Sequence, residues 1–89
     1  MKKSDDELKA IAQQALDTGI EPGGVYRHYE GGLCVIVAVS LDEATLTPLI
    51  TYRSSARGTF WTRTLANFTE MVDWGQPSTL MPRFQRVWE

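Results

Sequence analysis

Val25 to Ser40 read VYRHYEGGLCVIVAVS, and the fold is decided in this stretch. Val25 to Tyr29 combines β-branched and aromatic residues and reads as a strand. Glu30-Gly31-Gly32 follows as a tight turn, its glycines free to take positive φ. Leu33 to Ser40 is apolar at successive positions, which predicts a central strand covered on both faces. Two strands joined by so short a turn pair antiparallel.

Downstream, Asp42 to Thr45 reads as a turn and Leu46 to Arg53 as a third strand. Pro48 has no ladder N–H, so this strand is expected at an edge or with a bulge there. Ser54 to Gly58 is a polar loop with Arg57 at its tip, and Thr59 to Arg63 a fourth short strand. Thr64 to Phe68 reads as a one-turn helical corner, Thr69 to Trp74 as a fifth strand, and Gly75 to Leu80 as a loop. Arg83 to Trp88 reads as a C-terminal strand after Met81-Pro82. Upstream, Glu21-Pro22-Gly23-Gly24 is a turn or linker. Ser4 to Thr18 carries a capping box (Ser4 with Glu7) and an acidic first turn. Leu8, Ile11, Ala12, Ala15 and Leu16 form one narrow apolar stripe, and Gly19 is the helix stop. The expected organisation is a helix and linker over residues 1–21 and a β domain over residues 22–89. Roughly 65 residues are too few for an immunoglobulin-type sandwich, so a small, strongly bent barrel of about five short antiparallel strands is expected.

The chain has 89 residues, 43% of them hydrophobic and 22% charged, the composition of one globular domain. Its net charge of −2 and pI of about 5.3 argue against a generic nucleic-acid or membrane-surface binder. No apolar run approaches the roughly 20 residues of a membrane helix. The polar run Ser4-Asp5-Asp6-Glu7 stands where a secretory signal needs apolar residues. The single cysteine, Cys34, can form no internal disulfide, so a cytoplasmic protein is expected. All three lysines lie in the first nineteen residues, whereas the six arginines begin at Arg27. Arginine suits planar pairing with carboxylate or phosphate and stacking on aromatic rings.

Tyr26-Arg27-His28-Tyr29 is the densest chemistry-bearing cluster. Strand alternation puts Tyr26 and His28 on one face and Arg27 and Tyr29 on the other. Tyr52-Arg53 and Trp61-x-Arg63 repeat the pairing of aromatic with arginine, and the Arg63 guanidinium can pack beside the Trp61 indole. Convergence of Arg27, Arg53 and Arg63 with Trp61 and a tyrosine would make a pocket for an anionic, partly planar ligand. Against this stands a structural reading: tyrosines fill the core, and each arginine pairs with a local acid such as Glu30, Glu70 or Asp73. Cys34, inside a β-branched run, reads as an inert buried residue. One histidine and one cysteine supply no metal cluster, and no glycine-rich loop precedes a helix.

The segments GGVYRHYEGG, Thr51-Tyr52-Arg53, Phe60-Trp61-Thr62-Arg63, Phe68 and Pro82-Arg83-Phe84 resemble a bacterial family, the domain of unknown function 1653. Its pattern runs roughly G-x-Y-R-H-Y-K-G, Y-R, W-V-R-P, M-F and P-R-F. The resemblance covers about residues 22 to 88 and implies a small SH3-like β-roll, with no established activity. The chain departs from the pattern at Thr64, where the family has proline, and at Asn67, where methionine usually precedes the phenylalanine. Cys34 stands at a position that is often tyrosine, and the Ser4 to Thr18 helix is an extension.

The favoured reading is a mainly β, SH3-like roll with one N-terminal helix that works as a non-enzymatic binding module. Its expected ligand site comprises Tyr26, Arg27, His28, Tyr29, Tyr52, Arg53, Trp61, Arg63 and Arg83, with no cofactor or metal. Single-stranded RNA is the leading ligand class, because aromatics and arginines together suit stacked bases and phosphates. A peptide on an edge strand is the second, and a structural role as monomer or weak homodimer, through the helix stripe, the third. An enzyme using His28 as general acid or base is a further alternative.

Overall fold

Glycine turns and alternating apolar residues fold the middle of the chain into a meander of antiparallel strands. The computed structural model describes residues 5–75 and 80–87. The elements are α1 (Asp5–Asp17), β1 (Val25–His28), β2 (Leu33–Leu41), β3 (Pro48–Ser54), β4 (Phe60–Thr64), α2 (Leu65–Phe68), β5 (Met71–Asp73), β6 (Leu80–Pro82) and β7 (Phe84–Arg86). Five strands form one sheet in the order β4-β3-β2-β1-β7, and β5 pairs with β6 in a second sheet. The protein is mainly β, as expected. The large sheet stays open, however, and β4 and β7 do not meet to close a barrel. Phe68 from α2, which is 1% exposed, fills the concave side instead.

The turn between β1 and β2 works as the glycines require. Gly31 and Gly32 take φ of 100° and 89°, and the His28 amide donates to the Gly32 carbonyl across the turn. Tyr26 then lies opposite Cys34, and Ile36 opposite Tyr52, so these four side chains share the concave face. Between Ile36 and Ala38 the register with β3 shifts, leaving Val37 as the extra residue of a bulge. The bulge resets the alternation, so that Val39 packs against the core. β2 is not covered on both sides as expected: Leu33 and Val37 remain 41% and 42% exposed. Pro48 sits neither on an edge strand nor at this bulge. It is the first residue of β3, paired only with Leu41, where its missing N–H interrupts no ladder.

The core is Ile20, Tyr26, Cys34, Ile36, Ile50, Tyr52, Phe68 and Phe84. Phe68 and Phe84 stack face to face, with centroids 4.2 Å apart and planes 3° apart. Tyr52 meets Phe84 edge-on at 5.2 Å, and Tyr26 meets Phe68 edge-on at 5.4 Å. Gly24 lies under this cluster, where a Cβ would come within 3.3 Å of the Tyr26 ring and 3.2 Å of the Glu21 carbonyl.

Three sequence expectations need correction or placement. Leu80–Pro82 is a strand, not the end of a loop; it pairs with β5 through Met71 and Pro82, Val72 and Met81, and Asp73 and Leu80. Proline is tolerated there because a two-stranded sheet has only edges. The chain then crosses to the large sheet at Arg83, whose amide donates to the Glu70 carbonyl and whose carbonyl accepts from the Tyr29 amide. The helix α1 packs against β2 and β3, while the Ser4 cap and Trp88 lie outside the described residues. Among the described residues, no helix is long and apolar enough to cross a membrane.

Phe68→Ala removes the ring that fills the open side of the sheet and is expected to cost about 3–5 kcal/mol in urea denaturation. Phe60→Ala, at a side chain 60% exposed, is expected to change stability by less than about 0.5 kcal/mol.

Candidate functional site

The β3–β4 ladder places Trp61 beside Tyr52 and Arg63 beside Ile50, and both β4 side chains therefore face the concave side. Together with the β1–β2 turn, the loop after Ser54 and α2, they line an open groove of about 1000 Å³. Its lining includes His28, Cys34, Tyr52, Trp61, Arg63 and Phe84 from the sheet, Asn67 from α2 and Arg57 from the loop. Trp61 is 52% exposed within it.

Arg63 is the organising side chain. Its Nε donates to the Tyr52 hydroxyl at 3.0 Å, and its Nη1 donates to Asn67 Oδ1. The guanidinium carbon stands 5.6 Å from the centre of the Phe84 ring, so the cation–π partner is Phe84 and not the expected Trp61. Asn67 is set by the N-cap of α2: its amide donates to Thr64 Oγ1 at 3.1 Å. Thr64 has φ of −65°, an angle that proline also adopts, but proline has no side-chain oxygen to cap with. Thr64 and Asn67 are thus coupled, and both line the groove.

His28 is wedged between rings, with Tyr29 at 4.7 Å and Phe84 edge-on at 4.9 Å. Its Nδ1 accepts the Glu30 amide at 3.1 Å, which leaves the proton of the neutral ring on Nε2. Burial, and then the nearby Arg63 charge, lower its pKa from the ordinary 6.5. Its orienting partner is main chain, not Tyr26 or an acid. Burial pushes the Cys34 thiol up to about 11, so it is protonated and unreactive at neutral pH.

Four of the expected site residues, His28, Tyr52, Trp61 and Arg63, come together here. The others do not. Tyr26 is 7% exposed in the core. Arg27 and Arg53 lie on the opposite face, exposed, in register with Leu33 and Val35. Arg83 pairs with Glu70 at 3.0 Å and stands 5.6 Å over the Tyr29 ring. Arg57 and Asn67 were not among the expected site residues; Arg63 lies on β4 and Asn67 on α2, so no single periodicity joins them. Among the described residues, no group of three His, Cys, Asp or Glu side chains could hold a metal ion.

Residues 24–86 match the family described as Protein of unknown function (DUF1653). The chain belongs to this family. It is also similar to a solved structure, the crystal structure of a DUF1653 protein from Bordetella bronchiseptica. That likeness has 30% identity and a TM-score of 0.64, over 79% of this chain and 90% of that one. No curated protein matches the chain. All of the groove residues named above fall inside the matched DUF1653 segment.

The lowered pKa of His28 makes stability depend on pH with a definite sign. The unfolded chain takes up a proton near 6.5, whereas the folded chain does so only at lower pH. Stability from this group is therefore complete above pH 6.5 and falls as pH drops toward the folded value. Urea denaturation at pH 7.5 and 5.5 is expected to show a larger loss for the native protein than for His28→Gln.

Proposed function

We propose that the protein is a small cytoplasmic, non-enzymatic binding module whose concave groove takes a ligand with a planar ring and an anionic group. Single-stranded RNA is the leading ligand class. The observation that carries this reading is the half-exposed indole of Trp61 standing over a groove that also holds Arg57 and Arg63. A base stacked on Trp61 would bury apolar surface that is otherwise left in water, and Arg57, exposed at the loop tip, is within the same lining for the backbone phosphate. The acidic net charge limits such binding to a local patch and makes it weaken with salt.

One observation favours a peptide as the second reading. β4 is an edge strand of the large sheet, with Phe60 60% exposed beside Trp61. An extended chain could add there as a further strand.

A ¹⁵N titration with a short oligouridylate at low salt separates the two. The Trp61 indole signal is expected to shift saturably, and Trp61→Ala to weaken binding about tenfold or more, within the range for one stacked base, with little change in Tm. Absence of any shift at millimolar RNA would remove the RNA reading. Amide shifts running along β4 with an added peptide would put the second reading first.

A further inference from the structure

We propose that the floor of the groove is a seat for an oxyanion, a carboxylate or a phosphate, built by Arg63, His28, Tyr52 and Asn67. This rests on the groove being the binding site and specifies what its deepest part takes. The reasoning follows the direction of each hydrogen bond.

Arg63 spends Nε on the Tyr52 oxygen and Nη1 on the Asn67 oxygen. One cation therefore takes the Tyr52 and Asn67 oxygens as its acceptors. Among the described residues, three donors are left without an acceptor: the Tyr52 O–H, the Asn67 Nδ2 group and Arg63 Nη2. His28 adds a fourth, because its Nδ1 is occupied by the Glu30 amide and its proton is on Nε2. All four side chains line the same groove, and Arg63 and His28 both stand against the Phe84 ring, at 5.6 Å and 4.9 Å. A surface that offers donors and a fixed positive charge is complementary to an oxygen-rich anion.

Arg63 is held by two partners and a ring before any ligand arrives, so little side-chain ordering opposes binding. The acid in the lining is Glu30, an exposed side chain on the β1–β2 turn. Its hydrogen bond to His28 is made by the main-chain amide, and its carboxylate charge acts on His28 against the larger effects of burial and Arg63.

A ¹H–¹⁵N titration of arginine Nε–H, histidine ring and tryptophan indole signals tests this with uridine 5′-monophosphate, uridine and N-acetylglycine. Uridine monophosphate is expected to shift the Arg63 and His28 signals saturably, and uridine to move the Trp61 indole alone. His28→Phe keeps a ring against Phe84 but removes the donor, and should weaken uridine monophosphate binding about tenfold while leaving the uridine response intact. Tyr52→Phe is the second variant and should act in the same direction. A response to N-acetylglycine identifies a carboxylate as an occupant, and a response to the nucleotide alone a phosphate; either supports the seat. Equal binding of uridine and its monophosphate, or full affinity in both variants, would overturn the seat and leave the groove reading standing. No response from any signal with any of the three would remove both.

Discussion

Phe68 and Phe84 stack in parallel at 4.2 Å, and the arrangement of the concave face depends on that contact. Phe84 arrives on β7, paired with His28 of β1, while Phe68 comes from the single turn of α2. A four-residue helix has no stability of its own, because helix initiation is costly. It is held by burying Phe68 and by the Thr64 cap. Once α2 is fixed, Asn67 is delivered to Arg63, and Arg63 is delivered to the Phe84 ring and the Tyr52 hydroxyl. The rings fill the concave side of the open sheet, and Phe84 also lines the groove.

Arg63 divides its chemistry between the fold and the groove. Two of its three nitrogens tie β4 to β3 and to α2, and among the described residues no acceptor stands against the third. Arg83 and Arg86 differ from it, because they face carboxylates: Glu70 at 3.0 Å and Glu21 at 3.9 Å. A guanidinium bonded to neutral oxygens has no counter-charge beside it, whereas one next to a carboxylate does, most closely in the Arg83–Glu70 pair. The acidic chain therefore retains a positive centre where its aromatic residues gather.

Much of this was legible in the sequence. The 25–40 stretch, with its two glycines and its β-branched run, became the β1–β2 hairpin, and the Thr64 to Phe68 corner became α2. The segment Leu80 to Pro82 was not legible as a strand, because it and its partner Met71–Asp73 are each three residues long and proline argues locally against it. The bulge at Val37 was equally hidden, since it lies inside a uniformly apolar run and is defined by β3. At the site, His28, Tyr52, Trp61 and Arg63 were named from their types, and the structure assembles them. Arg27 and Arg53 were expected with them, but each follows a tyrosine that the core needs. Strand alternation sends the residue after an inward tyrosine outward. Asn67 was missed because its role depends on α2 being anchored, a tertiary effect with no composition signal.

A crystal structure of the protein grown with uridine 5′-monophosphate would test most directly whether the concave groove is the binding site and its floor the anion seat. The expected result is the uracil ring against Trp61 and phosphate oxygens within hydrogen-bond distance of Arg63 Nη2 and His28 Nε2. The nucleotide bound instead on the opposite face beside Arg27 and Arg53, with the groove unoccupied, would contradict it.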